Sequence, residues 1–186
     1  MFLCLFLESL SQDLLISNAA SANKIDHQAE VGHKIRTTLK TRLPKHYRSQ
    51  TEKLYRLIVS ESKKHRLDPL IVTAVISIES NFNPVAVGPV GELGLMQLRA
   101  STAEWIAGKM RIPWKGVGSL TNPEVNIKLG TAYLSFLKKQ FSKQGGYLYL
   151  AAYNMGIGSV LKSLAKKVHP KIYSNKVLKN YVAIND

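Results

Sequence analysis

The stretch from Leu70 to Ile78 is the feature that most limits how this chain can fold. Leu70, Ile71, Ala74, Val75 and Ile78 leave a helix here apolar on nearly every side, so it has to be the buried centre of the fold. Asp68-Pro69 opens it, with aspartate as N-cap and proline in the first turn, where a missing N–H costs nothing. Glu79 follows the apolar run directly. A carboxyl attached to such a helix end is poorly solvated, which disfavours its charged form and makes it a candidate general acid near neutral pH. Helix-end glutamates with their heads in water are common, and on its own that reading of Glu79 is the stronger one.

Around this helix the pattern stays helical. Leu54, Leu57, Ile58, Glu61 and His65 predict a helix ahead of it. Ser101-Thr102-Ala103-Glu104 has capping-box spacing and predicts a helix through Trp105 to about Met110. Asn122-Pro123 repeats the cap-and-proline signal before Val125, Leu129, Ala132, Tyr133, Phe136 and Leu137. Gly145-Gly146 precedes an aromatic helix from Tyr147 to Tyr153, and a last helix carries Val177, Leu178, Tyr181 and Val182. No segment alternates as a strand does, and no internal repeat is present. The expected class is all-α.

The chain has 186 residues, enough for one domain and a short extension. The main folded domain is expected over 49–186, with 23–48 as a polar, basic linker or loose helix. Residues 1–22 hold an apolar run from Met1 to Leu7 and the small-x-small triplet Ala20-Ser21-Ala22 of a cleaved signal peptide. Glu8, Asp13 and the lack of Lys or Arg argue against one. Export to the periplasm or cell envelope is the expectation, with peripheral membrane association open. Cys4 is the single cysteine, which excludes a disulfide framework and a cysteine zinc site, and the five histidines show no ligand spacing. No metal or organic cofactor is expected.

Lys and Arg number 26 against 12 Asp and Glu, a formal charge of +14, so an anionic partner is expected. The basic residues are spread evenly, which speaks against a nucleic-acid arm, and no nucleic-acid partner is expected.

Four blocks occur in order: Glu79-Ser80-Asn81-Phe82; Gly94-Leu95-Met96-Gln97-Leu98; Asn122-Pro123 with Asn126-Ile127 and Gly130; and Ala152-Tyr153-Asn154-Met155-Gly156. Together they resemble the lytic transglycosylases of the soluble-murein-transglycosylase catalytic domain, a family related in fold to goose-type lysozyme. The likeness spans residues 55–184. It implies a lysozyme-like helical domain whose cleft binds peptidoglycan glycan strands, working as a monomer. It also implies cleavage of the β-1,4 bond between N-acetylmuramic acid and N-acetylglucosamine, leaving a 1,6-anhydromuramyl end. Glu79 aligns with the family's acid/base. Ser80, Met96, Gln97, Tyr153, Asn154 and Tyr181 fall on the substrate side, with core packing the competing reading for Met96 and Tyr153.

The chain departs from the family at three places. Gly88 stands where many members have serine, Arg99-Ala100 replaces an apolar residue and proline, and Val177 replaces a frequent glutamate. Glycosidases usually need two carboxylates flanking the bond. Beyond Glu79 the only other acids are Glu92, Glu104, Glu124 and Asp186, and only Glu92 lies in a loop able to approach the cleft. A hydrolytic muramidase using Glu92, and an inactive peptidoglycan-binding module, are the alternatives. A helical nucleic-acid binder is the least favoured.

Overall fold

A computed structural model of the chain describes residues 23 and 25–186. The signal-peptide expectation, with Cys4, lies outside the described residues. Among the described residues eight helices follow one another: α1 (25–42), α2 (Thr51–Lys64), α3 (Pro69–Ser80), α4 (Ala100–Met110), α5 (Pro123–Gln140), α6 (Leu148–Met155), α7 (Ile157–Ala165) and α8 (Ile172–Asn185). Short 3-10 turns at Lys45–Gln50 and Val117–Thr121 lead into α2 and α5. Among the described residues the only β pairing is two isolated bridges, Val87 with Leu93 and Leu93 with Leu98.

α3 runs through the middle. Val72, Ala74, Val75 and Ile76 are wholly buried, enclosed chiefly by α8 and α2. The Asp68 carboxylate accepts from Leu70 N at 2.8 Å, the cap expected from the sequence. Asn122 does the same for α5, accepting from Glu124 N at 2.9 Å. The capping box at Ser101 does not form. α4 begins at Ala100 with Arg99 as its uncapped N-cap, because the Leu93–Leu98 bridge already sets the direction of the chain there. Ala103 N then bonds Arg99 O at 2.9 Å as the first helical bond, leaving Ser101 inside the first turn.

Of the two expectations for 23–48, linker or loose helix, the chain forms a helix, but not a loose one. α1 is a helix with a buried face, and Ile35, Leu39 and Leu43 are at most 1% exposed in the same core as Leu54 and Ile58. Each such burial is worth roughly 1.5–3 kcal/mol, so this segment is bound to the fold and not loosely tethered. A second apolar cluster, with Leu98, Ile106, Leu120 and Leu129, lies under α4 and α5. Tyr133, Phe136 and Tyr153 pack against both clusters and mark the seam between them.

Candidate active site

Glu79 is the penultimate residue of α3, and the apolar body of that helix carries its carboxyl below the surface. Past Ser80 the chain leaves the helix through Asn81, which is left-handed at φ 46°. The loop then folds back until Gly94, at φ +80°, turns it toward Leu95-Met96-Gln97. A side chain at 94 would lie 2.3 Å from Asn126 Nδ2 and from the Leu120 carbonyl, so glycine is required there. Asn126, fully buried on α5, pins the return. Its Oδ1 accepts from Met96 N at 2.7 Å, and its Nδ2 donates to Leu93 O at 2.8 Å and Leu120 O at 3.0 Å.

This loop and α6 wall a cleft of about 410 Å³ over Glu79. Its lining includes Gln97, Glu92, Arg99, Tyr133, Tyr153 and Asn154. Burial pushes the Glu79 carboxyl up to about 7. A hydrogen bond from Tyr173 opposes that rise, and the negative charge of Glu92 adds to it. The Tyr173 phenol is itself kept well above its ordinary value by burial and by the Glu79 charge, so it remains a donor. Glu92 behaves oppositely. Burial tends to raise it, but bonds from its own and the Val90 N–H groups, together with Arg99, hold it below the usual carboxylate range. Its Oε1 accepts from Arg99 Nε at 2.9 Å.

Glu79, Gln97, Tyr153 and Asn154 therefore come together as expected from the sequence, and Glu92 and Arg99 do approach the cleft. Three other expected residues do not line it. Ser80 turns inward and donates to Leu95 O at 2.8 Å, tying the helix end to the loop. Met96 is 0% exposed beneath the loop and is core, packed against Gly130. Tyr181 borders a separate hollow with Asp68, Ile71, Tyr147 and Tyr149. The Tyr153 ring lines the cleft, but its hydroxyl donates to Met96 O at 2.7 Å, so it braces the loop. It pairs with Tyr133 at 5.5 Å, while Tyr147 and Tyr149 pair with each other. Val177 is wholly buried, so glutamate at that position would be placed in the core of this chain.

Tyr173 is the residue the sequence reading missed. It lies about two turns before Tyr181 on α8, and no local pattern separates the two tyrosines. Only the packing of α8 on α3 shows which one reaches the acid. Among the described residues no group of three His, Cys, Asp or Glu is placed to hold a metal.

The fold and site define a lysozyme-like all-α domain with one near-neutral carboxylic acid in its cleft. Residues 56–175 match the transglycosylase SLT domain, and the chain belongs to that family. It is 35% identical over 151 residues to membrane-bound lytic murein transglycosylase C of Photorhabdus laumondii, covering 76% of this chain and 42% of the relative. It is 37% identical over 108 residues to the endo-type membrane-bound lytic murein transglycosylase A of Klebsiella pneumoniae, covering 53% of each. Among solved structures, an inactive mutant of lytic transglycosylase Slt from Pseudomonas aeruginosa superposes with a TM-score of 0.63 at 30% identity, over 78% of this chain and 25% of that one. The 70 kDa soluble lytic transglycosylase of Escherichia coli gives 0.59 at 30% identity, over 70% and 23%. The chain thus spans about half the length of these curated relatives, and about a quarter of the solved chains.

Proposed function

We propose that this protein is a peptidoglycan lytic transglycosylase and that Glu79 is its single acid/base. The observation that carries the reading is a largely buried carboxyl raised to about 7, facing a cleft in a domain of this family. Protonated Glu79 gives its proton to the glycosidic oxygen as the bond between N-acetylmuramic acid and N-acetylglucosamine breaks. The resulting carboxylate then takes the proton of the muramyl C6 hydroxyl while that oxygen bonds to C1. A 1,6-anhydro end forms, no water is consumed, and Glu79 regains its proton. Tyr173 steadies the carboxylate in its ionised phase. Gln97 and Asn154 supply polar contacts to the sugars.

Glu92 does not suit the second carboxylate of a muramidase. Arg99 Nε donates to its Oε1 and Val90 N–H to its Oε2, and these bonds hold it below the usual carboxylate range, so it is a weak base toward water. No helix among the described residues is long and apolar enough to cross a membrane. The membrane-bound names of the relatives support an envelope location, and export through residues 1–22 belongs to the proposal. The reading is of a monomer whose charge of +14 draws it to an anionic wall.

The test is mass spectrometry of products from purified peptidoglycan, for the chain and for Glu79→Gln. Anhydromuropeptides from the first and none from the second are expected. Reducing-end products mean a muramidase, and binding without products means a binding module.

A further inference from the structure

The groove over Glu79 does not stop at the acid. Thr102 and Tyr133 line the catalytic cleft and also line a second, more open hollow of about 290 Å³. Ser101, Trp105 and Ile157 complete that hollow, which lies between the first turns of α4 and the start of α7. Trp105 is 45% exposed, although an indole is highly buried in most folds. Its ring is nevertheless held. It meets Phe136 edge-on at 4.8 Å and Tyr133 edge-on at 6.4 Å, and Tyr133 meets Tyr153 at 5.5 Å. Tyr153, Tyr133 and Trp105 thus form a row of rings from the wall of the Glu79 cleft out to the surface of α4. One turn further along α4, Lys109 Nζ stands nearly equidistant from two rings, 5.5 Å from Trp105 and 5.3 Å from Phe136.

An indole left half in water forgoes apolar burial, and a ligand that covers it recovers that burial. A pyranose ring suits it. Its hydroxyls lie round the edge and its faces carry C–H bonds, whose positive hydrogens settle on the negative face of an aromatic ring. The Ser101 and Thr102 hydroxyls beside the indole can donate to, or accept from, the edge of the sugar. Continuity decides the occupant: a polymer lying across Glu79 is carried along the shared wall of Thr102 and Tyr133 onto Trp105. We propose that Trp105 is a distal sugar platform, on which a glycan unit beyond those at the scissile bond stacks. The platform presupposes the transglycosylase reading and deepens it, because it decides how long a strand the enzyme prefers. A strand that reaches Trp105 gains a contact that a shorter one lacks. Its cut then falls within the strand and not at the end on that side.

The test uses the full chain and soluble, uncross-linked peptidoglycan strands of two lengths, tetrasaccharides and long strands, with kcat/KM taken from initial rates of product formation by mass spectrometry. In the unaltered chain the long strands should be the better substrate. Trp105→Ala should lower the ratio of long-strand to short-strand kcat/KM by about five- to tenfold, mostly through KM, as the loss of one stacked ring would. Trp105→Phe keeps an aromatic face and should restore most of the ratio. Circular dichroism and thermal melts check folding. Should Trp105→Ala not fold, Trp105→Leu decides, because it keeps apolar bulk against Phe136 without a ring. A folded variant that loses equally on both lengths shows that Trp105 only shapes the fold, and it overturns the platform. A ratio within about twofold of the unaltered chain's overturns it too. Reducing-end products from the unaltered chain overturn the transglycosylase reading, while the length ratio still decides the platform. No cleavage of either length overturns both.

Discussion

The phenol of Tyr173, on α8, hydrogen-bonds Oε1 of Glu79, on α3. This contact joins residues 94 positions apart and, among the described residues, is the one side-chain hydrogen bond the acid receives. It opposes the burial that lifts the carboxyl to about 7. Cleavage by the unaltered chain should therefore fall above about pH 7, as Glu79 loses the proton it must donate. Tyr173→Phe removes the contact that favours the ionised form. Its descending limb should move up by about one pH unit, with the plateau rate lower by about tenfold as the carboxyl loses its steadying partner. A pH profile of kcat/KM checks this, and a limb displaced downward contradicts it.

Glu79 should also leave a mark on stability. Its folded value is raised from 4.5 to about 7, so across that window the native state holds a proton that the unfolded chain has released. Stability from this group is fully present below about pH 4.5, declines as pH rises, and is gone above about pH 7. Glu79→Gln keeps an acceptor for Tyr173 but cannot ionise. It should match the parent at pH 4 and exceed it at pH 8 by up to about 3 kcal/mol, seen as a melting temperature several degrees higher. An equal difference at both pH values would show that the carboxyl is not desolvated in the native state.

What the sequence made legible, and what it did not, divides along the range of the interactions. The α3 start at Asp68 and the α5 start at Asn122 depend on side chains two or three residues from the amides they cap, so the signal is local. The apolar run before Glu79 likewise announces its own burial. Tyr173 was not legible because its partner is on another helix. Met96 sits in a block shared with cleft residues, and only its packing on Gly130 turns it into core. On α1 the spacing of Ile35 and Leu39, continued by Leu43 just past its end, marks one face, but the polar residues between them dominate the composition until α2 is seen against it.

Asn126 is wholly buried and makes three hydrogen bonds, two to the active-site loop and one to Leu120 in the turn before α5. Asn126→Ala leaves Met96 N–H and the Leu120 carbonyl unpaired inside the protein and removes one of the two bonds at Leu93 O, which keeps Leu98 N–H. The expected cost is about 3 kcal/mol by urea unfolding. Activity at a temperature where the variant is still folded should fall further than stability accounts for, because Gln97 follows directly from the released Met96. A folded variant with unaltered kcat/KM would show that the loop finds its place without this anchor.

The last prediction concerns α1, which precedes the segment matching the family. Two kinds of contact hold it. Arg36 meets Glu52 at 2.9 Å and stacks 3.6 Å above the Tyr55 ring, both at the surface, where solvent screening leaves such pairs little weight. Leu39 is 1% exposed in the core shared with Leu54 and Ile58, and a leucine deleted from such a site costs about 2–5 kcal/mol. Leu39→Ala should therefore lower the unfolding free energy several times more than Arg36→Ala. A fragment beginning at residue 49 should melt below one beginning at residue 23, since Leu54 and Ile58 lose their cover. Paired thermal melts decide it: if the two fragments melt together, α1 contributes nothing to the stability of the fold.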